Sequence, residues 1–198
     1  MNPSADPSTA STATAQSEAP ARSTPHERLI GLGLRPIGHA SQFAPDIQAL
    51  MSKNPLFAGL DDKETLMLCG FMYVYETPGG VTLISEGEPG DFMLLLMQGT
   101  ADVVRRNRHN HRARIAVASP GHALGEMSMF DGEPRFASCV SLEPCRVAVL
   151  TRDALLLALH DEPRLGNKLL FKLVQLLSDR LRQTTSKLVT FLEGGYQT

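Results

Sequence analysis

The sequence predicts a mainly β domain with flanking helices: an eight-stranded β-roll of jelly-roll type, with N-terminal helices and one long C-terminal helix. Three observations predict it. Between Met72 and Thr151, short apolar runs alternate with Gly and Pro punctuation about every ten residues. On either side of that stretch the apolar period is helical instead. Hydrophobic residues make up 42% of the 198, which is enough to build a core.

Residues 1–27 are Ser, Thr, Ala and Pro with almost no large apolar side chain. Such a segment cannot offset its ordering entropy by burial, so it is predicted to be a disordered tail. Residues 28–44 read as a glycine-rich, mildly apolar lead-in that lies against the domain surface. The domain itself is assigned to residues 45–162. It opens with Pro45-Asp46 and the apolar Ile47, Leu50 and Met51, a short helix with proline in its first turn. Asn54-Pro55-Leu56-Phe57-Ala58-Gly59-Leu60 makes a turn with three apolar anchors, and Asp61 with Glu64 forms a capping box for a second helix.

Eight strands are then expected: Met72–Tyr75, Val81–Ser85, Phe92–Gln98, Ala101–Arg106, Arg114–Ala118, His122–Leu124, Ala137–Ser141 and Cys145–Thr151. Gly79-Gly80, Gly87, Gly90, Gly99 and Gly121 fall between them, where tight turns need glycine. After Arg152 the period turns helical again. Asp153–Leu159 is one helix, and residues 163–193 form a second that Gly194-Gly195 stops, leaving 194–198 as a tail.

Several function classes are disfavoured. The formal charge of −2 draws the chain to neither nucleic acid nor an anionic membrane. No apolar run approaches the roughly 20 residues of a spanning helix, and no secretory signal is evident. Cys69, Cys139 and Cys145 are an odd count in apolar settings, as core cysteines of a reducing cytoplasm would be. His109 and His111 have the spacing of a metal-binding strand pair, but no glutamate follows at short range, and they read as a solvated hairpin tip among arginines. No metal site is assigned. No nucleophile–base set or carboxylate pair stands in a suggestive context, so an enzyme is not expected.

The chemically informative stretch is Gly125-Glu126-Met127-Ser128-Met129-Phe130-Asp131-Gly132-Glu133-Pro134-Arg135-Phe136-Ala137-Ser138. Glycine permits a sharp bend, an acid and a helical turn follow, and an arginine arrives nine residues after the acid. Backbone amides at the start of a turn and a forked guanidinium suit phosphate oxygens. A carboxylate suits a hydroxyl donor such as a sugar's.

This stretch resembles the phosphate-binding cassette of cyclic nucleotide-binding domains, through the Gly125-Glu126 start, the Glu126-to-Arg135 spacing and the Pro134-Arg135-x-Ala137 ending. Its place between the sixth and seventh predicted strands matches that family, as does the Leu56-Phe57-x-x-Leu60 turn between helices. The resemblance implies that Glu126 holds a ribose hydroxyl. It also implies that Arg135, with backbone amides near Met127, Ser128 and Phe136, holds a cyclic phosphate. The family usually has Ala, Ser or Thr where this chain has Phe136, which bears on the ligand: cyclic AMP first, with cyclic GMP or cyclic di-GMP as alternatives, or a scaffold that binds none.

The last helix carries Leu170, Val174, Leu177, Leu181, Thr184, Leu188 and Phe191, spaced alternately four and three residues apart. That is a heptad seam, and it predicts a parallel homodimer through residues 163–193. Leu165, Leu169, Leu173 and Leu176 form a second apolar face in the first half only. Thr184 interrupts the seam, with Thr185 beside it. By resemblance to the cyclic AMP receptor (Crp/Fnr) type, this pair reads the base, one threonine from each subunit. That type continues into a helix-turn-helix domain, whereas this chain ends at Thr198. The expectation is a stand-alone cytoplasmic sensor that binds no DNA directly and signals to an unidentified effector protein.

Overall fold

The structure is a computed structural model and describes residues 23–51 and 54–194. The elements run α1 (Pro25–Gly31), β1 (Arg35–His39), a 3-10 turn (Ala40–Phe43), α2 (Ala44–Met51), α3 (Asp62–Cys69), β2 (Met72–Thr77), β3 (Thr82–Ile84) and β4 (Phe92–Gln98). They continue with β5 (Ala101–Arg106), β6 (Arg112–Ala118), β7 (Ala123–Leu124), α4 (Glu126–Asp131), β8 (Ser138–Ser141), β9 (Cys145–Thr151), α5 (Arg152–Asp161) and α6 (Pro163–Gly194).

Among the described residues, nine strands form two antiparallel sheets, ordered β1-β2-β9-β4-β7 and β3-β8-β5-β6. Mainly β with flanking helices is therefore the architecture, and all eight expected strands are present. The central strand β4 shows how the layers stack. Six consecutive residues, Phe92 to Met97, are buried. Phe92, Leu94 and Leu96 face the core between the sheets, with Leu83, Ile84, Val147 and Val149. Met93, Leu95 and Met97 face a second core under the helices, with Ile47, Phe57, Leu68, Leu155 and Leu165. A strand covered on both sides reads as a continuous apolar run, as this one does.

The lead-in differs from expectation. It does not merely lie against the surface: Leu29 of α1 is 0% exposed and Leu34 2%, and both belong to the core between the sheets. Arg35–His39 is a ninth strand, paired with β2. Its Arg-Pro-Ile-Gly-His composition hides it, because there is no apolar alternation and proline is tolerated only at a sheet edge. What holds it is visible only in three dimensions. Glu76 on β2 accepts from Arg35 on β1 at 2.5 Å and from Arg146 on β9 at 2.7 Å, an ionic ladder across three strands.

Two helix starts carry full capping boxes. Asp61 and Glu64 make the expected capping box on α3. Thr24 and Glu27 make another on α1, with proline in its first turn. Residues 1–22 of the expected tail, and residues 195–198, lie outside the described residues. Among the described residues, no helix is long and apolar enough to cross a membrane.

Candidate functional site

The glycine-to-arginine stretch folds as a unit between β7 and β8. Gly125 caps α4 in the left-handed region at φ 78°, a conformation glycine adopts without strain. A Cβ there would stand 2.6 Å from Arg135 Nη1 and 2.8 Å from Ile84 Cδ1, so space as well as conformation excludes a side chain. Gly132 ends the helix, also left-handed. Arg152 Nε donates to the Met129 carbonyl at 2.6 Å, and its Nη2 to that of Ser128 at 3.2 Å. A cation thereby sits on the negative end of the turn. Gly90 is buried against α4 on another side, where a Cβ would fall 2.1 Å from the Ser128 Cβ.

Arg135 is the organising side chain. It is 3% exposed; Nη1 donates to the Gly125 carbonyl and Nη2 to the Phe92 carbonyl, each at 2.6 Å. Its guanidinium carbon lies 4.5 Å from the centre of the Phe92 ring. Backbone bonds secure the same loop from outside: Gly87 N–H donates to the Arg135 carbonyl and Arg135 N–H to that of Glu88, both at 2.9 Å. Burial pulls the guanidinium below arginine's ordinary value, while the charges of Asp91 and Glu126 act the other way. Arginine nonetheless stays protonated, and only two of its five N–H groups are spent on these carbonyls. Asp91 is ion-paired with Arg28 of α1, which ties the N-terminal helix to the neighbourhood of the cassette.

One cavity of about 530 Å³ collects the predicted residues. Gly125, Glu126, Met127, Ser128, Arg135, Phe136 and Thr184 all line it; Thr185 does not. Glu126 and Ser128 are buried, whereas Met127 and Phe136 are exposed at 41% and 54%. Thr184 comes from α6 and is joined by its neighbour Gln183. Apolar walls come from Ile84, Val103, Ile115, Val117 and Leu124. The volume lies within the roughly 300–1,000 Å³ of small-molecule sites. An apolar-walled hollow with one buried acid and one buried cation suits a small ligand that carries both an anionic group and hydroxyls.

Cys69 and Cys139 are buried, and desolvation pushes their thiols up to about 11 and about 12. A thiol so shifted is a poor nucleophile. His109 and His111 are exposed in the β5–β6 hairpin. Among the described residues, no group of three His, Cys, Asp or Glu side chains converges as a metal site would require.

The chain is similar to known proteins in sequence and in fold. The pattern of the cyclic nucleotide-binding domain matches residues 76–162, which span the roll from β2 through the cassette to α5. A CRP-like cAMP-activated global transcriptional regulator of Mycobacterium tuberculosis is 27% identical over 143 residues, 72% of this chain and 62% of that protein. The chain thus spans about three fifths of that regulator's length. A cAMP-dependent protein kinase regulatory subunit of Aspergillus niger is 31% identical over 106 residues, which cover 54% of this chain and 25% of the subunit. The crystal structure of a cyclic nucleotide-binding domain from Methylobacillus flagellatus KT is 38% identical, with a TM-score of 0.71, over 79% of this chain and 88% of that one. Matched at that identity over nearly all of a solved domain, and homologous to CRP-like regulators, the chain belongs to the cyclic nucleotide-binding domain family.

Proposed function

We propose that the chain is a sensor that binds cyclic AMP and passes its state on through protein contacts rather than by catalysis. The observation that carries the reading is the meeting, in one cavity, of Glu126 and Arg135 from the roll with Thr184 from α6. Glu126 accepts from the ribose hydroxyl. Arg135 and the amides near Met127, Ser128 and Phe136 hold the cyclic phosphate, and Gly125 gives the bend that brings acid and cation together. Thr184 and Gln183 meet the base edge, while Thr185 reaches the site of a second copy. Cyclic AMP is favoured because the mycobacterial and fungal relatives are named for it.

The dimer is part of the proposal. Leu170, Val174, Leu177, Leu181 and Leu188 on α6 are 41%, 61%, 37%, 69% and 56% exposed, an apolar seam left partly open to solvent in a single chain. We assign residues 45–162 to the binding roll, with 28–44 attached to it, and 163–193 to a dimer helix in a cytoplasmic protein.

Calorimetry of the full chain with cyclic AMP tests the function. Arg135→Ala is expected to weaken binding at least tenfold. Because Arg135 also holds two backbone carbonyls, Glu126→Gln serves as a second variant and should weaken it as well. Absence of binding by any of cyclic AMP, cyclic GMP and cyclic di-GMP would leave an interaction scaffold as the better reading. Exclusive binding of cyclic di-GMP would reassign the ligand.

A further inference from the structure

Phe136 follows the buried Arg135, yet its ring is 54% exposed and lines the cavity. The Arg105 guanidinium carbon lies 3.8 Å from the ring centre, while Arg105 itself is not part of the cavity lining. At that distance from the centre the cation lies over one face of the ring and leaves the other uncovered by it. Arg105 is in turn fixed by Glu86 at 3.7 Å. Glu86 is anchored too: one carboxylate oxygen accepts the Arg106 N–H at 3.0 Å, and its own N–H donates to Ser138 Oγ at 2.9 Å. Carboxylate, guanidinium and ring thus form a supported stack whose last surface opens on the cavity. Ile115 and Val117 of β6, 51% and 48% exposed, continue that surface as apolar wall. A flat, exposed aromatic backed by a cation is a platform for a flat heteroaromatic ring.

We propose that Phe136, backed by Arg105, is the surface on which the ligand's base stacks, and that it sets the cavity's preference for purines over the smaller pyrimidines. The inference rests on the cyclic nucleotide reading above and names a specificity-determining residue within it. Stacking has no need of a hydroxyl at this position. It is tolerant of base edges, so adenine against guanine is left to Gln183 and Thr184.

The chain contains no tryptophan, so Phe136→Trp installs a single fluorophore at the proposed contact. Titration with cyclic AMP is expected to quench that emission saturably, with affinity within about threefold of the parent, because a larger ring preserves the stack. Phe136→Leu, which keeps apolar bulk without a π-face, should lose roughly five- to a hundredfold for cyclic AMP and cyclic GMP, the range of one base–aromatic stack. Its loss for cyclic CMP should be smaller. Arg105→Gln should reduce purine binding by a lesser factor. The side chain is exposed, and thermal melts check that each variant is folded. Purine binding by Phe136→Leu as tight as the parent's, or unquenched tryptophan at saturation, overturns the stack alone. Failure of the folded parent to bind any cyclic nucleotide overturns the underlying reading, and the stack with it.

Discussion

Gly125 carries two constraints at once, a left-handed backbone and a closed space, and both bear on Arg135. Gly125→Ala is expected to destabilise the fold by roughly 1–3 kcal/mol, the cost of a non-glycine residue forced into such a conformation. Under the proposed function it should also abolish cyclic AMP binding, because the added methyl displaces the guanidinium. Urea titration and calorimetry on one preparation check both. The three cysteines make an opposite case. Their pKa values are raised by burial, so none is expected to react with a thiol reagent at pH 7 until the protein is unfolded. That the candidate residues between Gly125 and Phe136 would gather at one cavity was legible because they are contiguous and their spacing is that of a single turn. Arg152, Gly90 and Gln183 were not. They act through carbonyls, packing and helix phase that emerge only when distant segments meet.

At the scale of elements, the long helix was legible from period alone, and so was its seam. A seam position such as Leu181, 69% exposed, gives a direct test of the proposed dimer. Leu181→Glu is expected to move the protein from dimer to monomer in sedimentation at micromolar concentration while leaving the melting temperature of the roll nearly unchanged. Monomeric parent protein would refute the dimer. β1 was illegible for a physical reason: an edge strand with proline and glycine owes its place to pairing and to the Arg35–Glu76–Arg146 ladder, not to alternation. The α1 helix was masked differently. Thr24-Pro25-His26-Glu27 obeys the same capping rule as Asp61 to Glu64, but it directly follows a low-complexity stretch.

For the whole molecule, residues 23–34 are structural. Deleting residues 1–34 removes Leu29 and Leu34 from the core, and roughly 3–6 kcal/mol of stability should go with two buried leucines. A shift in the urea midpoint measures it. Acid acts on the same edges of the fold. Glu64, bonded to Lys168 of α6, and Glu76, bonded to Arg146, have pKa values held below the ordinary 4.5. A depressed carboxylate pKa gives stability that is fully present above the unfolded value and lost as pH falls through the folded one. The melting temperature should therefore be flat near neutrality and fall below about pH 4.5, modestly, since the cationic partners reach into solvent. Glu64→Gln should flatten that fall.

Thr184 is both a seam residue of α6 and a wall of the cavity. Under the proposed dimer, association and ligand binding share that side chain, and thermodynamic reciprocity makes each a function of the other. Apparent affinity for the nucleotide should then vary with protein concentration. A cell holding more of this protein would hear the same nucleotide signal at a different threshold.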